Sequence, residues 1–192
     1  MPTGKAGNKK TPEPRPTRAV YWDTCVFIAW LKNEKRKSGD MEGLQEVATE
    51  IHKNKIVLIT STLTRAELLE CNLPKGAIEK YNKLFRRSNV LEIPFDREVA
   101  ELTSEIRNFY NPGDFELLTP DAMHLATAIS FDAFEFHTFD GSDPKKKPRN
   151  LKKTCCGLLV LNGSVANRPL TIRKPVGQQG DLLKGIGTMP GC

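Results

Sequence analysis

Strand-like apolar runs alternating with helix-like runs predict a parallel α/β sheet for this 192-residue chain. Three observations carry the prediction. The runs Ala19–Trp22, Lys55–Thr60 and Val90–Pro94 each precede a segment whose apolar residues recur at helical spacing. Pro and Gly punctuate the joints. Four acids, Asp23, Glu67, Asp121 and Asp140, fall at comparable ends of these units.

The elements follow in order. Residues 1–17 are rich in Pro, Lys, Gly and Thr without an apolar period and read as a flexible basic arm. Ala19-Val20-Tyr21-Trp22 is a short buried strand, and Cys25 to Lys32 opens a buried helix that Thr24 would cap. Gly39-Asp40 breaks the chain before an amphipathic helix through Leu44, Val47, Ala48 and Ile51. Lys55 to Thr60 is the second strand, followed by a helix through Leu63, Ala66, Leu68 and Leu69. Pro74-Lys75-Gly76 interrupts, and a further helix carries Ile78, Tyr81, Leu84 and Phe85.

Val90 to Pro94 is the third strand, and Asp96 to Tyr110 is a helix with Val99, Leu102, Ile106 and Phe109 on one side. After the turn Asn111-Pro112-Gly113-Asp114, Pro120 opens the next helix at a position where its missing N–H is not needed. Phe134 to Phe139 alternates apolar and polar as strand four. Gly157 to Leu161 and Pro169 to Arg173 are read as one more strand and a closing segment. Residues 18–175 thus form one domain, and from Val176 to Cys192 the chain reads as a flexible, Gly-rich tail.

Composition narrows the class. An apolar content of 39% supplies a core, and no apolar run nears the roughly 18 residues needed to cross a bilayer. The opening residues lack the apolar stretch of a secretory signal. Five cysteines without a Cys-x-x-Cys pair favour reduced thiols and a cytoplasmic location over disulfides or a zinc site. The net charge of +6 is uneven: residues 1–20, 144–153 and 154–192 together carry +13, leaving −7 for residues 21–143. Bases at the ends and in one loop, with acids between, suit a partner that brings both phosphates and cations.

Each acid has a structural reading. Asp121 suits a helix N-terminus, Glu67 stands at capping-box distance from Thr64, Asp23 can cap the first helix, and Asp140-Gly141 can be a turn. Together they recur at one edge of successive units, where α/β sheets bind ligands. Carboxylates gathered there must hold protons or metal. Mg²⁺ or Mn²⁺ fits such hard oxygen ligands and can activate water and offset charge on a phosphodiester. Around them, His124 either hydrogen-bonds a ligand carboxylate or simply packs; Thr24 and Thr138 flank Asp23 and Asp140; Asp143 can join or replace Asp140.

The ordered segments Asp23-Thr24, Ser61-Thr62-Leu63-Thr64-Arg65-Ala66-Glu67, Asp121-Ala122-Met123-His124-Leu125-Ala126-Thr127-Ala128 and Thr138-Phe139-Asp140-Gly141-Ser142-Asp143 resemble the PIN-domain ribonucleases, including the VapC-type toxins, over roughly residues 19–175. The resemblance implies a three-layer α/β/α domain with a central, mostly parallel sheet. It also implies a Mg²⁺- or Mn²⁺-dependent endoribonuclease, with Asp23, Glu67, Asp121 and Asp140 as metal-site acids and Asp143 as an addition. An RNA substrate, an antitoxin protein and a homodimer are the partner classes that come with it. In this reading Lys145, Lys146, Lys147, Arg149, Lys152 and Lys153 steer the RNA backbone. The competing reading is a module of the same fold that binds RNA or protein without turnover. A dinucleotide- or phosphoryl-transfer enzyme is disfavoured, because no Gly-rich phosphate cradle follows a strand.

Overall fold

The computed structural model describes residues 18–112, 116–141 and 157–177. Its elements are β1 (Ala19–Trp22), α1 (Thr24–Lys32), α2 (Asp40–His52), β2 (Val57–Ser61), α3 (Thr62–Glu70), α4 (Ala77–Leu84), β3 (Val90–Ile93), α5 (Arg97–Tyr110), α6 (Thr119–Ser130), β4 (Glu135–His137) and β5 (Thr171–Arg173). The strands form one sheet in the order β3-β2-β1-β4-β5, and every neighbouring pair is parallel. The predicted strand within Gly157–Leu161 is instead a 3₁₀ turn at Leu158–Leu161, and the fifth strand is Thr171–Arg173.

Alternation along each strand divides the core in two. Val20, Trp22, Leu58 and Val90 face one side and pack with Val26, Phe27, Leu44, Ile51 and Tyr81 from α1, α2 and α4. Tyr21, Ile59, Ile93, Phe136 and Ile172 face the other and meet Val99, Ile106, Ala122 and Leu125 from α5 and α6. This is the three-layer arrangement, with helices on both faces. Burial on both faces also changes the reading of strand four. Its polar positions do not face water: Glu135 and His137 are buried. Glu135 is held there by His137 at 2.8 Å, Arg173 at 2.8 Å and Arg18.

The strand order reverses direction at one place. The chain steps outward from β1 to β2 to β3, then returns to place β4 on the other side of β1. The crevice beyond the carboxyl ends of β1 and β4 is therefore the ligand position that such topology creates. Asp23 directly follows β1, and Asp140 lies three residues after β4. At the far side of the sheet, the segment after β5 crosses α2. Lys174 pairs with Asp40 at 3.0 Å, and a Cβ on Gly43 would stand 2.3 Å from the Pro175 carbonyl oxygen.

A candidate carboxylate centre at the switch point

Of the two caps the sequence offered for α1, Thr24 and Asp23, it is Asp23 that caps. Its Oδ1 accepts from the Thr24 amide at 2.7 Å and its Oδ2 from Thr138 Oγ1 at 2.7 Å. Thr138 Oγ1 in turn accepts the Asp140 amide at 2.9 Å, so one hydroxyl ties the acid after β1 to the backbone of the acid after β4. Cys25 joins this set, its Sγ lying 3.1 Å from Asp23 Oδ2 and accepting the Phe139 amide at 3.2 Å. The Asp140 carboxylate accepts the Leu158 amide at 2.8 Å. That contact depends on close approach of two chain segments: a Cβ on Gly157 would fall 2.2 Å from the Gly141 nitrogen.

Glu67 lies in the middle of α3, which Ser61 caps through the Leu63 amide. The capping box expected between Thr64 and Glu67 does not form. Thr64 is buried, its hydroxyl 2.7 Å from Thr60 Oγ1, and Glu67 is left to face β1 and α6. There Thr24 Oγ1 donates to Glu67 Oε2, and His124 Nε2 stands 3.0 Å from the same oxygen. His124 Nε2 is also 3.8 Å from Asp23 Oδ1. Among the two readings of this histidine, the structure gives it carboxylate partners.

The orientation of His124 is set by a residue the sequence reading passed over. Tyr21 is buried, and its hydroxyl oxygen accepts the Ser61 amide at 3.1 Å. Burial and the Asp23 charge hold the Tyr21 phenol well above its usual range, so it keeps its proton. That proton is directed to His124 Nδ1 at 2.7 Å. A neutral His124 therefore carries its proton on Nε2, aimed at Glu67. Burial lowers the pKa of His124, but the Glu67 hydrogen bond and the charges of Asp23, Glu67 and Asp121 outweigh it, and the net shift is upward. Burial likewise raises Glu67, and the bonds from His124 and Thr24 bring it below its usual value.

Asp121 sits in the first turn of α6 behind Pro120. Because α6 runs back toward the start of β4, this turn lies at the same edge as Asp23 and Asp140. No described side chain pairs with it. Its carboxyl is pushed up to about 7, by burial first and then by Asp23, Asp140 and Glu67. Three acids from separate segments thus act electrostatically on Asp121, and no described Lys or Arg pairs with any of the four. Asp143, Lys145, Lys146, Lys147, Arg149, Lys152 and Lys153 lie outside the described residues.

A model of the PIN domain matches residues 20–146. The chain belongs to the PIN-domain family. PIN domains are in general nucleases that use divalent metal ions. VapBC2 from Rickettsia felis, solved bound to a DNA fragment from their promoter, is similar in fold. Its TM-score is 0.50 at 14% identity, over 62% of this chain and 86% of that one. FitAcB from Neisseria gonorrhoeae is similar at TM-score 0.45 and 21% identity, over 63% of this chain and 87% of that chain. A toxin–antitoxin complex from Klebsiella pneumoniae gives TM-score 0.41 and 22% identity, over 67% and 92% respectively. No curated protein sequence matches the chain.

The donor set of this PIN domain fits a divalent cation of the hard kind. The candidate ligands are carboxylate oxygens, no described Lys or Arg pairs with them, and Asp121 already resists ionising beside the others. Among the described residues no three His, Cys, Asp or Glu side chains form a ready-made metal cage.

Proposed function

We propose that this PIN domain is a Mg²⁺- or Mn²⁺-dependent endoribonuclease that hydrolyses RNA phosphodiester bonds at the carboxyl edge of β1 and β4. The observation that carries the reading is the convergence of Asp23, Glu67, Asp121 and Asp140 on the switch point without a described Lys or Arg partner. These four acids would hold the metal, with Asp143 as an addition. When bound, the ion supplies Lewis-acid stabilisation of charge on phosphodiester oxygens and lowers the pKa of water. The chain's own groups do the positioning. Thr138 and the Thr24 amide fix both oxygens of Asp23, while Thr24 and His124 hold Glu67 Oε2. Tyr21 fixes the ring that does so.

Lys145, Lys146, Lys147, Arg149, Lys152 and Lys153 would steer the RNA backbone into this edge. Residues 18–175 are the catalytic unit in this reading, with 1–17 and 176–192 as appendages and the cytoplasm as the place of work. A toxin role, with an antitoxin protein and a second copy as partners, is supported by the family and by the toxin–antitoxin complexes whose fold is similar. Loss of the acids' purpose would be the mark of a binding module, and here all four are present. The test is cleavage of single-stranded and looped RNA by wild type and Asp23→Asn, with Mn²⁺ or EDTA, followed by sequencing of the new ends. Metal-dependent products from wild type alone are expected. Equal cleavage by the folded Asp23→Asn protein would reject the assignment.

A further inference from the structure

A second site lies along α1 from the carboxylates. A cavity of about 380 Å³ is lined by Trp30, His52, Lys80, Lys83, Leu84 and Arg87. Three of its six walls are cations, and none is an acid. Lys80 Nζ lies 3.8 Å from the centroid of the Trp30 ring and donates to the Trp30 carbonyl at 3.2 Å. Arg87 is held by neutral partners, the His52 carbonyl and, at 3.1 Å, Asn54 Oδ1, while its buried Nε finds no acceptor. His52 Nδ1 donates to the Ala48 carbonyl at 2.8 Å. Among the described residues no carboxylate forms an ion pair with Lys80, Lys83 or Arg87. Like charges brought together over an aromatic floor, without counter-charges, are the makings of an anion site. Burial alone holds Lys80 below the usual lysine range, a cost that an arriving anion would relieve.

We infer that this recess is an exosite for a backbone phosphate of the RNA strand. The inference rests on the RNA-cleaving reading for the identity of its ligand. α1 sets the geometry: Thr24, at the carboxylate edge, and Trp30 are six residues apart on one helix, roughly 9 Å along its axis. His52 and Arg87 stand just before β2 and β3, at the amino ends of the strands, so an RNA strand leaving the carboxylate edge would run down the length of α1 to enter the recess. Lys80 covers the Trp30 face, and Trp30 is buried, so the recess offers charge rather than a stacking platform. It would bind any sequence alike and hold the strand in register. A nucleobase pocket would need the ring exposed.

The test reads binding instead of turnover. A fluorescein-labelled single-stranded RNA dodecamer is titrated in EDTA against the full chain and the Lys80→Gln/Lys83→Gln variant. The titration is repeated between about 50 and 200 mM salt. Loss of that phosphate contact should weaken binding about tenfold at low salt and flatten the log–log salt slope by about 0.7, the value for one phosphate on a single strand. Lys83→Gln alone, at an exposed position, should take half of that slope change and serves if the double variant fails to fold. An unchanged slope in a folded variant overturns the exosite. So does wild-type binding of polyglutamate with dodecamer-like affinity that is lost in the variant, which would make the recess a seat for an acidic protein. Absence of cleavage would sink the nuclease reading yet leave the slope result standing, so the two failures are distinguishable.

Discussion

Asp121→Asn should make the metal-free protein more stable while removing a metal ligand. The carboxyl has an ordinary value of 3.8 and is pushed up to about 7 in the folded chain. Below 3.8 the acid is neutral in both states and exerts no pull. Between 3.8 and about 7 the unfolded chain ionises first, so ionisation draws the equilibrium toward unfolding and the wild type loses stability as pH rises. A difference of about three units at about 1.4 kcal/mol each sets a ceiling of about 4 kcal/mol. Asp121 is only half-buried, so solvent screening reduces this to about 2 kcal/mol. Loss of a negative charge in the first turn of α6 returns about 0.5 kcal/mol.

Urea denaturation in EDTA should therefore find Asp121→Asn more stable by about 1–2 kcal/mol at pH 8, with the gap shrinking toward zero near pH 4. Saturating Mn²⁺ should narrow the gap at pH 8, because binding to the folded wild type adds stability that the variant lacks. A gap independent of pH, or a variant less stable than wild type at pH 8, would refute the electrostatic argument. It would mean that the acids are farther apart, or better compensated, than described.

Further outcomes test the rest of the site. Mn²⁺ affinity, followed by calorimetry, should rise with pH and level off above about 7, since Asp121 must shed its proton to bind. Tyr21→Phe leaves the Ser61 amide and His124 Nδ1 without their partner, and should cost about 1–3 kcal/mol in urea denaturation. It should also weaken metal binding on the order of tenfold or more. Gly157→Ala would drive a Cβ to 2.2 Å from the Gly141 nitrogen, displacing the Leu158 amide from Asp140. Metal affinity should fall more steeply than thermal stability in that variant. Glu135→Gln removes the buried carboxylate that pairs with partly exposed Arg18 and Arg173 and should cost about 2–3 kcal/mol by denaturation.

Much of the fold was readable because parallel strands buried on both faces are apolar and short, and the helices between them carry a clear period. β1 and α5 fell where the residues placed them, with Asp96 standing as the cap of α5. Leu158–Leu161 misled, because a short apolar run does not distinguish a strand from a 3₁₀ turn. Glu135 and His137 misled for another reason. Alternation announces two faces but not whether the second meets water, and here distant Arg18 and Arg173 supply the charge. Asp23 and Asp140 stand just after β1 and β4, and Glu67 and Asp121 lie on α3 and α6, as the order of elements implied. The link between them was not legible: Tyr21 to His124 and Thr138 to Asp23 join residues about a hundred positions apart. Thr64 offered a local partner for Glu67 that the fold did not use.

The near-touch of Gly141 and Gly157 has a consequence for how such a domain can diversify. Residues 141 and 157 meet backbone to backbone beside Asp140. The clasp fixes the backbone beside Asp140 whatever length of chain joins the two glycines. New recognition elements can therefore be trialled at the mouth of the domain while its chemistry is inherited intact.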